Sequence, residues 1–279
     1  MGATILDGRA LAAQLRERLT DVAMRFAEAR QRRARLALVL VGDDPTAALY
    51  TQQVRRAGAR IGMDVLVKTF DNAVSELTLR LEIAALGARA DVDGVAVALP
   101  LPTHIRQRFV MEVLPASKDV DGLGPQNAGR LMLGFPSFVP STADAALELI
   151  RQAGITLQGQ DTVVIGRSNV GGKPAALLFL RENATVTLCH SQTRDIATIT
   201  RQADILFASA GRAGVITADM LKPGAVVLDA GMAQVDGAII GDVEAEGARR
   251  VAGYLTPTPG GLGPLTPVML LRHTLIGPT

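Results

Sequence analysis

Apolar runs that do not alternate with polar residues recur along the chain, and helical stretches separate most of them. LALVLVG (36–42), VLVKTF (65–70) and DGVAVALPLP (93–102) form a first series, and TVVIG, ATVTLC, DILFASA and AVVLDAG form a second one after residue 160. A run without alternation is apolar on both faces, the state of a strand in a parallel sheet covered by helices. The chain is therefore expected to be α/β, and its 279 residues are enough for two domains. Helices are expected over about 8–31, after Asp44-Pro45, over about 75–89 and near 143–153. The tail GGLGPLTPVMLLRHTLI should end in a helix capped by Thr266, with Pro267 in its first turn.

Composition narrows the functional classes. Hydrophobic residues make up 48%, aromatics only 3%, and 28 Gly with 14 Pro imply many loops between Ala-, Val- and Leu-rich elements. The single Cys189 excludes an intrachain disulfide, and His104, His190 and His273 lie too far apart for metal-ligand spacing, so no metal is expected and a cytoplasmic setting fits. The N-terminal MGATILDGRALAAQLRERL is too polar for a signal peptide or a membrane span. A net charge of +2 and a pI near 9.0 raise nucleic acid as a partner, but the basic residues are spread along helices without interleaved aromatics, so none is expected. The dense run RQRRAR (30–35) falls where the first helix should end, and cations there complement the helix dipole.

Three stretches could carry chemistry. GRSNVGGKP (166–174) lies between a strand and a helix, where glycines allow close backbone approach and the helix N-terminus can receive a phosphate. It is not a GxGxxG, since Ser168 holds the middle position, and a plain tight turn would explain its glycines equally well. About twenty residues on, the next strand ends in Cys189-His190-Ser191, without the acid that would hold the ribose 2′-hydroxyl of NAD. Arg167, His190 and Ser191 would suit a 2′-phosphate, so NADP is expected over NAD. Cys189 itself reads as an inert small hydrophobe. Tyr50, Val54, Ala57 and Ile61 form a stripe at helical spacing, the usual mark of a buried helix face, and this leaves Tyr50 as either core or site.

Taken in order, VGDDP, ALYTQQV, DGVAVALPLP, KDVDG, VIGRSNVGGKP, ATVTLCHSQT and TPTPGGLGPLT resemble the FolD-type bifunctional methylenetetrahydrofolate dehydrogenase/methenyltetrahydrofolate cyclohydrolases over essentially the whole chain. The resemblance implies an N-terminal α/β catalytic domain (1–122 plus 263–279), a Rossmann-type NADP-binding domain (140–262), a folate cleft between them, and a homodimer. It also implies that Tyr50 borders the folate, that Asp121 hydrogen-bonds the pterin, and that Leu99, Pro100 and Pro259, Gly260 and Gly261 line the site. For the cofactor it implies Gly166, Arg167, Ser168, Ser191, Gly211 and Met232.

The departures from the family pattern bear on mechanism. Val54 stands where the family has its catalytic Lys, Ala98 where it has a Gln, and Ala47 where it has a Ser; Leu123-Gly124 and Pro140 to Ala145 also differ. Hydride transfer to a nicotinamide needs orientation of donor and acceptor, with no protein acid or base strictly required. Opening the methenyl bridge needs an activated water and proton movement, worth roughly 10²- to 10⁴-fold in rate. Arg55 or Arg56 could stand in for the Lys only as a fixed cation, since arginine does not act as a base. The expectation is thus a dehydrogenase whose cyclohydrolase activity is weak or lost. A full bifunctional enzyme and a catalytically inactive folate- or nucleotide-binding homologue are the alternatives.

Overall fold

A computed structural model describes residues 2–235 and 237–278. The elements run β1 (Thr4–Ile5), α1 (Gly8–Arg30), β2 (Arg35–Val41), α2 (Pro45–Ile61), β3 (Asp64–Phe70), α3 (Glu76–Ala88), β4 (Gly94–Val97), α4 (Gln107–Glu112) and α5 (Pro125–Met132). They continue with α6 (Ser141–Gln152), β5 (Asp161–Ile165), α7 (Gly172–Arg181), β6 (Thr185–Cys189), α8 (Ile196–Thr200), β7 (Ile205–Ala208), β8 (Val226–Asp229), β9 (Ala233–Val235), β10 (Ala238–Ile240), α9 (Ala245–Val251), β11 (Tyr254–Leu255) and α10 (Leu262–Ile276). Two compact units result, one of Ala13–Pro140 with Pro267–Thr279, the other of Met1–Ala12 with Ser141–Thr266.

The first of these units is built on a three-stranded parallel sheet in the order β3-β2-β4. The central strand β2 has neighbours on both edges, and Leu36, Ala37, Leu38 and Val39 are completely buried, as its unbroken apolar run requires. Leu79, Ile83 and Leu86 of α3 pack with Ala37, Val39, Val95 and Val97 in one core. Helix α2 starts where the sequence places it: the Asp44 carboxylate accepts from the Thr46 and Ala47 N–H groups at 2.9 Å each, and Pro45 fills the first position. It stops at Gly62, whose φ of 91° ends the helix in the left-handed region.

The second unit carries a six-stranded parallel sheet, β1-β11-β8-β7-β5-β6. Chain order reverses direction across this sheet at β5, with β6 on one side and β7 and β8 on the other. In open parallel sheets, the strand C-termini at such a point form the ligand crevice. Phe179 of α7 meets Phe207 of β7 edge-on, with ring centroids 5.9 Å apart, and fixes the helix on the sheet.

Three features differ from the sequence expectations. Residues 1–12 group with this second unit and not with the N-terminal one, because β1 finds its hydrogen-bonding partner in β11. The tail helix begins at Leu262, and the Thr266 hydroxyl donates back to the Leu262 carbonyl (3.1 Å) instead of capping; Pro267 is thereby inside the helix, where its missing N–H forfeits one bond. In the basic run only Arg30 lies in the last turn of α1. Arg32 grips Asp93 with both guanidinium nitrogens (2.7 and 2.8 Å), and Arg35 pairs with Asp64 and Asp91. These cations stitch the ends of β2 and β4 and are not dipole partners.

Candidate functional site

Within the Ala13–Pro140 unit, helix α2 separates the members of its apolar stripe. Val54, Ala57 and Ile61 are buried, whereas Tyr50 is only half-buried. The lower turns of the stripe are thus core, and its first member reaches toward solvent. Although part of the residue meets solvent, the protein packed around its phenol strips water from the hydroxyl, and this, aided by the nearby Asp121 carboxylate, pushes the Tyr50 pKa well above its ordinary value, so it stays a neutral hydrogen-bonding group. Ala98, just beyond β4, is buried and donates its N–H to the Val39 carbonyl (2.8 Å). Positions 54 and 98 therefore present hydrocarbon with no exchangeable side-chain proton. Arg55 and Arg56 are exposed on the other side of the helix from Val54. Thr51, beside Tyr50, has a buried hydroxyl without a hydrogen-bond partner, a feature the sequence did not signal.

The loop bearing Asp121 is held by its neighbour Asp119, which is almost fully buried. The Asp119 carboxylate accepts from the Leu123 N–H (3.1 Å), the Gly124 N–H (2.9 Å) and the Asn127 side-chain amide (2.9 Å). Gly122 has φ of 58°, and a Cβ there would lie 2.4 Å from the Phe138 carbonyl oxygen. Burial raises the Asp119 carboxyl to about 6, and the three donors only partly offset this. Because the folded protein holds this proton more tightly than the unfolded chain, Asp119 favours folding below about pH 4, and that contribution disappears as pH rises through about 6. Relative to Asp119→Asn, the wild type should lose about 2 kcal/mol of stability between pH 4 and pH 7. Urea midpoints of both proteins at steps across this range check it, and a difference flat in pH contradicts it.

In the Ser141–Thr266 unit, the C-terminal ends of β5 and β6 lie side by side, with Ile165 paired to Cys189. Gly166 follows β5 with φ of 109°, and a Cβ on it would sit 2.0 Å from the Ser209 carbonyl oxygen. A Cβ on Gly172, the first residue of α7, would sit 1.8 Å from the Gly166 carbonyl oxygen. Both glycines are required by close backbone approach. The Ser168 hydroxyl accepts from the Gly171 N–H at 3.0 Å, so it shapes the loop from within as well as facing out of it. Arg167 and Ser191 are exposed, and His190 is half-buried with its Nδ1 accepting from the Gln192 N–H (3.2 Å). Cys189 is buried, and burial raises its thiol pKa, the opposite of what a nucleophile needs.

Two carboxylates that sequence reasoning missed organise the remaining loops. Asp229, at the end of β8, accepts from the N–H groups of Gly231 (2.8 Å), Asp242 (3.0 Å) and Val243 (3.1 Å). Asp242 in turn accepts from the N–H groups of Ala210, Gly211 (3.1 Å) and Arg212 (2.8 Å). Their one sequence signal is an acid within two residues of a glycine, in VVLDAG and IGDV. Gly211 has φ of 69° and is exposed, as is Met232. Gly260, with φ of 125°, and Gly261 are buried in the loop after β11, where the Gly261 N–H donates to the Pro257 carbonyl at 2.6 Å, and Pro259 is exposed. Leu99 is half-buried and Pro100 exposed. Among the described residues no cluster of His, Cys, Asp or Glu could hold a metal ion, and no helix is long and apolar enough to cross a membrane.

Comparison with known proteins agrees with this arrangement. The tetrahydrofolate dehydrogenase/cyclohydrolase catalytic-domain model matches residues 6–121, and the NAD(P)-binding-domain model of the same family matches residues 140–277. The bifunctional protein FolD of Albidiferax ferrireducens is 47% identical over 97% of this chain and 94% of its own length, and that of Geobacillus thermodenitrificans is 45% identical over 99% and 97%. Among solved structures, the bifunctional FolD enzyme of Campylobacter jejuni (38% identity, TM-score 0.95, 99% and 98% coverage) is similar throughout. So is the FolD enzyme of Trypanosoma brucei, complexed with NADP cofactor and inhibitor (35% identity, TM-score 0.94, 99% and 97% coverage). This chain belongs to the tetrahydrofolate dehydrogenase/cyclohydrolase family.

Proposed function

We propose that the chain oxidises 5,10-methylenetetrahydrofolate to 5,10-methenyltetrahydrofolate with NADP, and that its hydrolysis of the methenyl product is weak or lost. The observation that carries the oxidative half is the glycine cradle at the N-terminus of α7, with Arg167 and Ser191 at neighbouring strand ends and no acid at the end of β6. The two glycines let the loop after β5 pack closely against the start of α7 and the end of β7, the arrangement that brings a helix N-terminus to a phosphate, and the NADP complex of the Trypanosoma brucei relative supports that choice.

When bound, NADP supplies the hydride acceptor. The chain's own residues supply position. The loop from Gly166 to the N-terminus of α7 would receive the phosphates, although the Gly166 N–H itself is donated to the Cys189 carbonyl (2.9 Å); Arg167, His190 and Ser191 would take the 2′-phosphate; Gly211 and Met232 would contact the cofactor from later strand-end loops. For the folate, on the family resemblance, Asp121 would accept hydrogen bonds from the pterin, the neutral Tyr50 ring would lie against the ring system with Leu99 and Pro100 beside it, and Pro259 to Gly261 would supply the family's further folate contacts. As the hydride departs, the folate's own nitrogen lone pair stabilises the cation that forms, so no protein base is needed. Holding the reacting atoms within roughly 3–3.5 Å of each other is the whole task. On the family resemblance alone we further propose a cytoplasmic homodimer.

The hydrolytic half divides the support. The relatives' shared name favours a second reading, full bifunctionality to 10-formyltetrahydrofolate, and the comparisons back it more directly than they back the loss. What supports the loss is the side-chain chemistry of Val54 and Ala98, neither of which can carry or orient a proton. The oxidative reading is tested by following NADPH formation from methylenetetrahydrofolate with NADP and with NAD. Wild type should prefer NADP, and Arg167→Ala should lower that preference about 10- to 100-fold, the size of one charge-assisted phosphate contact. Equal use of both cofactors by the wild type contradicts the 2′-phosphate assignment.

A further inference from the structure

Asp229 and Asp242 are both almost completely buried, and among the described residues neither has a Lys or Arg within ion-pairing distance. Two buried acids without a cation are costly, and a loop that only needed closing could be closed by neutral groups. Here six backbone N–H groups converge on them instead, and the two acids are linked, since the Asp242 N–H donates to Asp229. The packing leaves no freedom around the pair: a Cβ on Gly241 would lie 1.8 Å from Asp229 Oδ2, and one on Gly231 would lie 2.3 Å from the Asp242 nitrogen. The same hub reaches the loop after β11. The Asp229 N–H donates to the Thr256 hydroxyl (2.7 Å), and a Cβ on Gly241 would lie 2.9 Å from the Thr258 Cβ. Burial raises the Asp229 carboxyl above its ordinary pKa.

We propose that Asp229 and Asp242 are positioning residues that fix loop 210–212, residues 231–232 and loop 256–261 in their binding geometry before either ligand arrives. This rests on the reading of Gly211 and Met232 as cofactor contacts and of Pro259 to Gly261 as folate contacts. Asp242 sets the cofactor loop through three consecutive N–H groups, the Asp229 carboxylate holds Asp242 through its N–H, and the Asp229 backbone N–H ties this hub to the folate loop through the Thr256 hydroxyl. The effects on the two ligands are therefore separable by position: disturbing either carboxylate acts on the cofactor, and removing the Thr256 hydroxyl acts on the folate loop.

The test uses isosteric variants and titrates NADPH itself. Asp242→Asn turns one acceptor into a donor that faces at least one N–H group in either amide orientation, and should weaken NADPH binding about tenfold or more while the KM for methylenetetrahydrofolate changes less than threefold. Asp229→Asn should likewise weaken NADPH binding, whereas Thr256→Val, which removes the acceptor of the Asp229 N–H, should raise the KM for methylenetetrahydrofolate with NADPH affinity nearly unchanged. The shifts should persist well below the melting temperature of each variant, where a purely structural role leaves ligand affinity unchanged. Hydrogen exchange on the unliganded wild type gives a second readout independent of variant folding: amides of 210–212 should be protected before NADPH is added and gain little from it. Wild-type affinity in the Asp242→Asn variant, or rapid exchange at 210–212 in the free protein, overturns the proposal. A wild type that binds no NADPH at all would instead overturn the functional reading, and the exchange result would still decide the positioning role.

Discussion

The double variant Val54→Lys, Ala98→Gln is expected to hydrolyse methenyltetrahydrofolate roughly 10²- to 10⁴-fold faster than the wild type, the range general acid–base catalysis contributes. Val54 is completely buried on the stripe of α2 that begins with Tyr50, and Ala98 is buried just beyond β4. A lysine ammonium at position 54 would be partly desolvated, which lowers its pKa toward neutrality and makes the free amine available as a base. A glutamine at 98 would give that amine a hydrogen-bonding partner. Burial of the new amine should also lower the melting temperature, so activity is to be compared well below it. The control is Val54→Met with Ala98→Gln, which matches the length of lysine without the proton. If this control accelerates hydrolysis as much, packing and not proton transfer is responsible.

The second large effect concerns the phosphate cradle. Gly172→Ala should weaken NADPH binding by more than about 100-fold, because its Cβ would stand 1.8 Å from the Gly166 carbonyl oxygen and the loop would have to open. The obstructing atom is backbone, so no side-chain rotation relieves the clash. Gly129→Ala in α5 is the matched control: nothing lies within 4 Å of its Cβ, and alanine there should leave NADPH affinity unchanged and stabilise the helix by about 0.5–1 kcal/mol. Calorimetric titration of both variants with NADPH separates the outcomes. Equal affinity in Gly172→Ala and wild type would mean that the cradle does not hold the cofactor.

Much of this was legible in the residues because the signals are local. The apolar runs became β2 to β8, and Asp44-Pro45 opened α2 as its capping chemistry dictates. The stripe of α2 could not by itself distinguish Tyr50 from its partners, since spacing marks a face but not where that face leaves the core. Other features depend on distant partners. Thr4–Ile5 is too short to read as a strand, and its partner β11 lies about 250 residues away along the chain. The β9–β10 hairpin did carry a signal, an Asp-Gly dipeptide after the alternating AQV, but its strands are only three residues each and too short to read as a pattern. Thr266 looked like a cap because Thr before Pro is a usual helix start signal, but the helix already begins at Leu262 and the Thr266 hydroxyl donates to the Leu262 carbonyl. Asp229 and Asp242 were invisible for a physical reason: their ligands are backbone N–H groups, which every residue but proline possesses, so no residue type announces them.

The account depends on the chemistry lost at positions 54 and 98, and the purified wild type can be asked directly. The measurement is the decay of methenyltetrahydrofolate with and without enzyme, run beside NADPH formation from methylenetetrahydrofolate on the same preparation. Brisk NADPH formation with methenyl decay close to the spontaneous rate is the predicted result. Brisk decay far above the spontaneous rate would show that hydrolysis proceeds without a lysine at 54, and the division of labour argued from Val54 and Ala98 would be wrong.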